Sequence, residues 1–127
     1  MASHALDLTL HDADQTARLA VTLGRALAAG DVVLLTGDVG AGKTHFARAL
    51  IQSLLAVPED VPSPTFTLVQ TYDAPAAAIW HADLYRLTSV YEIEELGLTD
   101  AFSDAICLVE WPDRLGDLRP EDALDLT

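Results

Sequence analysis

The stretch Gly37-Asp38-Val39-Gly40-Ala41-Gly42-Lys43-Thr44 decides the fold that this sequence predicts. It matches the pattern G-x-x-x-x-G-K-[ST], in which glycines let the backbone turn tightly and direct successive N–H groups inward. The short run Val32-Val33-Leu34-Leu35-Thr36, which shows no alternation, precedes it, as expected for a strand covered on both faces. Apolar residues then recur at helical spacing, at Phe46, Ala49, Leu50 and Leu54. Strand, glycine-rich loop and helix therefore follow in the order of a phosphate-binding loop.

Lys43 is chemically distinctive because it is the only lysine among seven basic residues, and the others are arginine. A compact ammonium on a flexible stem can reach between the β- and γ-phosphates of a nucleotide, where a planar guanidinium would not fit the loop. The guanine-specifying motif Asn/Thr-Lys-x-Asp needs a second lysine, so ATP or ADP is predicted rather than GTP. An ordinary glycine turn that caps a helix is the alternative interpretation.

Length and charge limit the class of protein. With 127 residues, half of them hydrophobic, the sequence can bury one core, and we expect a single domain over residues 1–127. Its net charge of −13 would repel a phosphate backbone, so extensive direct contact with nucleic acid is not expected. The sequence has no long apolar run, no signal segment and one cysteine, Cys107. We therefore expect a cytoplasmic protein with no membrane span and no internal disulfide.

Hydrophobic periodicity and turn residues predict the other elements. The turn Asp73-Ala74-Pro75 separates two β-rich segments, which predicts an antiparallel hairpin. The expected elements are a helix at 12–29, strands at 65–72 and 77–84, a short helix at 90–96 and an apolar strand at 105–109.

These elements predict the α/β class, a three-layer P-loop NTPase fold with a mixed sheet flanked by helices. Residues 122–127 resemble the opening of a further strand. We therefore expect that the C-terminal strand or strands of the full-length protein are missing, which would expose a sheet edge.

Two acidic residues follow apolar strands. Glu110 comes after Ile106-Cys107-Leu108-Val109 and resembles a Walker B acid, while Asp83 ends the segment Ile79-Trp80-His81-Ala82. ATP chemistry needs Mg²⁺, for which Thr44 would offer a hydroxyl and one or both acids a carboxylate. Which acid binds the metal and which orients water stays open. The alternatives are a turn cap for Asp83 and a solvated strand-end charge for Glu110.

The roles of four further residues are weighed against alternatives. Thr65 lies in Ser63-Pro64-Thr65-Phe66, which is either a switch segment that senses the γ-phosphate or a loop entering a strand. Arg86 either stabilises the transferring phosphoryl group or pairs with a carboxylate. Trp111 either stacks near the nucleotide or anchors a partner, or it packs within the domain. His81 is interpreted as a hydrogen-bonded structural residue and is left out of the catalytic set.

The segments G-D-V-G-A-G-K-T, S-P-T-F-T-L-V, H-A-D-L-Y-R-L and L-V-E-W-P-D-R-L together resemble the bacterial TsaE (YjeE) family. The first segment specifies only P-loop NTPases, whereas the later three, in this order and at these distances, are specific to that family. The resemblance extends from about Leu6 to Leu126, nearly the whole chain.

The resemblance implies an ATPase that works with the proteins TsaB and TsaD. These install threonylcarbamoyl on the adenosine beside the anticodon of tRNAs reading ANN codons, so tRNA would be contacted only through the assembly. Activity of the isolated chain is expected to be weak and stimulated by the partners. The alternatives are a small-molecule kinase that shares the loop and a nucleotide-sensing binding module without significant hydrolysis.

Residue roles follow from the resemblance by motif. Lys43 and the loop would bind phosphates, and Thr44, Asp83 and Glu110 would form the magnesium and catalytic set. The expected catalytic residues are thus Lys43, Asp83 and Glu110. The expected nucleotide-binding residues are Gly37, Asp38, Val39, Gly40, Ala41, Gly42, Lys43, Thr44, His45, Thr65 and Trp111. His45 replaces the Thr or Ser that the family usually has after the motif.

Overall fold

The computed structural model describes residues 4–6, 13–36, 41–57, 61, 68–75, 77–85, 87, 90–118, 120 and 123–126. The strands are β1 (His4–Leu6), β2 (Val32–Leu35), β3 (Val69–Asp73), β4 (Ala78–Asp83), β5 (Ile106–Glu110) and β6 (Leu124–Leu126). The helices are α1 (Ala13–Ala26), α2 (Ala41–Leu54), α3 (Val90–Glu95) and α4 (Leu98–Asp104), and a 3₁₀ segment, Pro112–Leu118, is kinked at Gly116.

The strands form one sheet in the order β1-β6-β2-β5-β4-β3. Every pairing is parallel except β3 with β4, which is antiparallel, so the predicted mixed sheet and the predicted hairpin are confirmed. The apolar run Val32–Leu35 lies between β6 and β5 and is buried on both faces, as its lack of alternation indicates. Leu34 is fully buried, and its replacement by alanine would cost about 2–5 kcal/mol.

Each face of the sheet is covered by helices. Val33 and Leu35 belong to a core cluster with residues of α1 and α2, whereas Val32 and Leu34 belong to a second cluster with residues of α3, α4 and the 3₁₀ segment. Successive side chains of β2 therefore enter opposite layers, because side chains alternate along a strand. The predicted three-layer α/β architecture is confirmed.

Helix α1 approaches α2 closely at Gly24. A Cβ atom at this position would lie 3.2 Å from Ser53 Oγ and 3.4 Å from Leu50 Cγ. Glycine is a weak helix former, but here it removes the side chain that would separate the two helices. The contact fixes α1 against the helix that begins with the end of the glycine-rich sequence motif.

Helix α1 ends at Ala26, earlier than the predicted end at residue 29. The chain turns because Asp31 Oδ2 accepts a hydrogen bond from the N–H of Ala28 at 2.8 Å, and Gly30 has φ +94°. Gly30 also donates its N–H to the Ala105 carbonyl at 2.9 Å, which joins the turn to the start of β5. Glycine is the residue that adopts this left-handed conformation without steric cost.

Three other differences concern short elements. The hairpin strands are Val69–Asp73 and Ala78–Asp83, so their extents differ from the predicted ones. Helix α4 and strand β1 were not predicted. Strand β6 confirms a strand near residues 122–127, but it lies between β1 and β2 and is therefore not an edge strand. Among the described residues, no helix is both long and apolar enough to cross a membrane.

Candidate functional site

The candidate site lies where β2, β5 and β4 end. These strands are parallel neighbours, and Glu110 is in register with both Leu35 of β2 and Asp83 of β4. Since parallel strands end at the same edge of a sheet, both predicted acids stand beside the point where β2 leads into the glycine-rich loop. The structure therefore brings Asp83 and Glu110 together, as the sequence predicted.

The predicted phosphate loop is described only in part. Gly37, Asp38, Val39 and Gly40 lie outside the described residues, whereas Ala41, Gly42, Lys43 and Thr44 form the first turn of α2. No acidic residue is in this turn, so the turn itself adds no carboxylate that would oppose an anion at the positive end of the helix. The backbone position of Lys43 and Thr44 matches the predicted strand–loop–helix order, and their contacts with phosphate and metal stay predictions.

Both acids are buried. The relative exposure of Asp83 is 6% and that of Glu110 is 3%, so the alternative interpretation of Glu110 as a solvated charge is wrong. Alternation along the strands places both side chains on the face covered by α1 and α2, the face to which Ile79 and Leu108 belong. The carboxylates therefore share a sheltered position on the side of the sheet where α2 packs.

Asp83 is held by the main chain. Its Oδ1 accepts a hydrogen bond from the N–H of Tyr85 at 3.0 Å, which is the turn-capping arrangement weighed as its alternative role. Its own N–H donates to the Leu68 carbonyl at 2.9 Å. Turn capping is thus confirmed for one oxygen of Asp83, and it is compatible with a metal-binding role because a carboxylate accepts several interactions.

Glu110 is held by a side chain. His81 Nε2 lies 2.7 Å from Glu110 Oε2, and the histidine is fully buried. The sequence identified His81 as a hydrogen-bonded structural residue, and the hydrogen bond is confirmed. Its partner, however, is the predicted Walker B acid. The shared face of His81 and Asp83, two residues apart on one strand, indicates only that these two side chains lie on the same side of the sheet.

Trp111 directly follows Glu110 and has φ +60°, a left-handed conformation that is unusual for a large side chain. Its ring packs against Tyr85, with centroids 4.7 Å apart and planes inclined by 49°. Trp111 also packs against the core cluster on the α3 and α4 face. Packing within the domain is therefore confirmed for Trp111, and its contact with nucleotide stays a prediction.

The remaining candidates divide into two groups. Thr65 with its segment 63–66, and Arg86, lie outside the described residues. His45 is half-buried in α2, directly after the motif. A residue that was not predicted, Arg48 of α2, donates from Nε to the Val61 carbonyl at 2.9 Å. This bond joins α2 to Val61, which directly precedes the sequence Pro62-Ser63-Pro64.

The donor set fits Mg²⁺ better than a transition metal. Among the described residues, no group of three or more His, Cys, Asp or Glu side chains could form a metal cage. Mg²⁺ does not require one, because it keeps several water ligands and binds one or two carboxylates together with substrate phosphates. Two neighbouring carboxylates beside the glycine-rich loop therefore suit it.

The chain was compared with known proteins. The family model described as "Threonylcarbamoyl adenosine biosynthesis protein TsaE" matches residues 10–127. Three similar proteins bear the name tRNA threonylcarbamoyladenosine biosynthesis protein TsaE. That of Rickettsia conorii is 46% identical over 103 residues, which are 81% of this chain and 59% of the relative. The protein of Rickettsia bellii is 39% identical over 92% of this chain and 81% of the relative. The protein of Bacillus subtilis is 38% identical over 76% of this chain and 60% of the relative.

The fold has a counterpart among solved structures. The crystal structure of Bacillus subtilis YdiB superimposes with a TM-score of 0.74 and 28% sequence identity, covering 91% of this chain and 70% of that one. The chain spans about three fifths of the length of the Rickettsia conorii and Bacillus subtilis relatives. The family match, the relatives and the common architecture agree, and the chain belongs to the TsaE family of tRNA threonylcarbamoyladenosine biosynthesis.

Proposed function

We propose that this chain is a Mg²⁺-dependent ATPase that serves the formation of N6-threonylcarbamoyladenosine in tRNAs reading ANN codons. The observation that carries the proposal is the buried pair Asp83 and Glu110, which end adjacent parallel strands beside the strand that leads into the phosphate loop. Paired acids at this position are what phosphoryl transfer to water requires, since one ligates the metal and another orients the nucleophile.

The loop Gly37 to Thr44 and the first turn of α2 bind the phosphates in this proposal. Backbone N–H groups supply the donors, and the Lys43 ammonium neutralises β/γ charge. The absence of an acidic residue from the first turn of α2 supports this, because the positive end of the helix keeps its full effect on an anion.

Thr44, Asp83 and Glu110 hold the metal and the attacking water. When bound, the metal would neutralise the negative charge that develops on the phosphate oxygens during the transfer. The two carboxylates are distinct in their support, since Asp83 is capped by the Tyr85 N–H and Glu110 by the His81 imidazole. Thr65 senses the γ-phosphate in this proposal, and Trp111 and His45 contact the nucleotide.

The chain acts with TsaB and TsaD in this proposal, and both stimulate its ATP turnover. The net charge of −13 supports an indirect relation to tRNA, because a surface with this charge repels the phosphate backbone. The cytoplasm, where bacterial tRNA is modified, is the compartment that this role requires.

Phosphate release with and without TsaB and TsaD tests the proposal. Wild type should release phosphate slowly alone and faster with both partners, and Glu110→Ala should abolish the stimulated rate. Lys43→Ala should weaken ATP binding measured by calorimetry, while Arg18→Ala, which removes one exposed cation from α1, should not.

Three results would contradict it. An ATP turnover rate that is the same with and without TsaB and TsaD would rule out the role in the assembly. A phosphorylated small molecule in place of inorganic phosphate would identify a kinase. Full assembly function in both Asp83→Ala and Glu110→Ala would identify a nucleotide-sensing module instead of an ATPase.

A further inference from the structure

We propose that His81 is a positioning residue for Glu110, whose carboxylate it fixes in one orientation at the end of β5. The inference rests on the proposed function, because it assigns a role within the same site. It concerns a residue that sequence reasoning left outside the catalytic set.

The geometry begins with the register of β4 and β5. His81 is paired with Leu108, and Asp83 is paired with Glu110. Side chains two residues apart share a face, so His81 and Glu110 are diagonal neighbours across the two strands. The distance of 2.7 Å between Nε2 and Oε2 is that of a short hydrogen bond to a charged acceptor, which is stronger than a neutral one.

Burial of His81 fixes the position of the hydrogen bond between its imidazole and Glu110. His81 is 0% exposed, and Ile79 and Leu108, which are in the same core cluster, are also 0% exposed. Close packing limits the rotamers of the imidazole, so its Nε2 has a defined position. A free glutamate side chain loses roughly 1.5–2 kcal/mol of rotamer entropy when it is fixed. Because the Glu110 side chain is already ordered in the folded protein, this entropy is not lost again when substrate binds.

The two ring nitrogens of His81 have surroundings that fit a hydrogen bond donated from Nε2 to Glu110. With an ionised carboxylate as acceptor, Nε2 must carry the proton that is donated. Nδ1 is buried and has no hydrogen-bond partner within the described part of the chain. A buried acceptor without a partner costs less than a buried N–H without one, so the Nε2–H tautomer fits this environment.

The two acids are held by different means, which makes the role of His81 separable. Asp83 receives a main-chain N–H from Tyr85, an arrangement that a change at position 81 does not remove. Glu110 receives the His81 side chain. Substitution of His81 should therefore remove this hydrogen bond from Glu110 and leave the one from Tyr85 to Asp83 in place.

The test uses steady-state ATP turnover of the chain with TsaB and TsaD. His81→Leu should lower kcat about 10- to 100-fold, the usual cost of losing a residue that orients a catalytic or metal-binding group. Its KM for ATP should change much less, since the phosphates are bound by α2 and the loop. His81→Gln, which keeps an amide donor near the position of Nε2, should recover part of kcat. In a Glu110→Gln background, His81→Leu should cause no further loss.

A second readout does not depend on turnover. Calorimetry should show ATP binding of His81→Leu at wild-type affinity. Nitrogen NMR should show the His81 ring protonated at Nε2 in wild type and shifted in Glu110→Gln. Ile79→Val is the matched control, because it changes a buried residue on the same face and strand without removing a contact to Glu110, and its kcat should equal that of wild type.

The outcomes separate the two proposals. If wild type does not hydrolyse ATP under any condition, the proposed function fails, and the role of His81 fails with it. If wild type is active and Glu110→Gln is not, but both His81 variants keep wild-type kcat, only the positioning role is overturned. An unchanged His81 ring signal in Glu110→Gln would also overturn it. If His81→Leu does not fold, the comparison of His81→Gln with Ile79→Val decides the result.

Discussion

The buried contact between His81 and Glu110 makes a quantitative prediction about stability. His81→Leu would leave a carboxylate that is 3% exposed without the imidazole 2.7 Å away. Removing one partner of a buried hydrogen bond costs about 1–3 kcal/mol, and more when the group that stays buried is charged. Glu110 is the last residue of β5 and stands close to the end of the sheet, which limits the loss, so we expect about 3 kcal/mol.

Replacing both partners should have the opposite effect. The double variant His81→Leu with Glu110→Leu places two apolar side chains beside Ile79 and Leu108, which are fully buried. Replacing both partners of a buried hydrogen bond by apolar residues of similar shape is nearly neutral or stabilising. Glu110→Leu alone removes the described partner of a buried imidazole and should cost about 1–3 kcal/mol. The double variant should thus be more stable than either single variant.

Urea unfolding followed by circular dichroism measures these differences. With a slope of about 1–3 kcal/mol per molar urea, a loss of 3 kcal/mol lowers the midpoint by roughly 1–3 M. Ile79→Val, at about 0.5–1.5 kcal/mol, calibrates the cost of a small change in the same cluster. If the loss in the double variant equals the sum of the single losses, the two side chains do not act as a pair in the folded protein. The double variant should also be inactive, although it is stable.

Three further predictions concern residues outside the site. Burial raises the pKa of the Cys107 thiol from 9.0 to about 12, so the native protein at pH 8 should resist a thiol reagent that reacts after unfolding in urea. The unfolded thiol ionises first, and the free energy of unfolding should therefore fall as pH rises from 9 toward 12; a rise would contradict the burial. Gly24→Val should cost about 1–3 kcal/mol in urea unfolding by crowding Ser53, and Ser53→Ala should recover part of that loss unless the helices separate freely. Arg48→Met keeps the aliphatic stem but loses the bond to the Val61 carbonyl, so its urea midpoint should fall by an amount equivalent to about 1–2 kcal/mol, and an unchanged midpoint would show that the bond does not stabilise the fold.

The fold was predictable wherever local sequence carries a strong signal. The apolar run Val32–Leu35 indicates a buried strand by itself, and the spacing of apolar residues after Lys43 indicates α2. Helix α4 was missed because it has only seven residues and directly follows another short helix. Strand β1 has three residues, too few to show alternation, and it becomes a strand only by pairing with β6.

The part of the site that was predictable from the sequence is the part that lies at the ends of apolar strands. Asp83 and Glu110 were identified because each follows an apolar run, and parallel strands end at one edge. Their burial and their different supports were not predictable, because these depend on which strands become neighbours. The bond from His81 to Glu110 crosses from β4 to β5, a pairing between distant segments that no local pattern specifies.

The order of strands in the sheet has a consequence for synthesis of the chain. Val32 of β2 pairs with Cys107 of β5, and β4 lies on the far side of β5. A nascent chain that has left the ribosome only as far as the end of α2 would contain the glycine-rich loop. It would still lack β4 and β5, the strands that end at Asp83 and Glu110. Closing so long a loop is slow and entropically unfavourable, and an unpaired apolar strand such as β2 favours aggregation until the closure occurs. The proposed nucleotide site can therefore assemble only after β5, which ends at Glu110, has left the ribosome, and β2 gains its other neighbour, β6, later still.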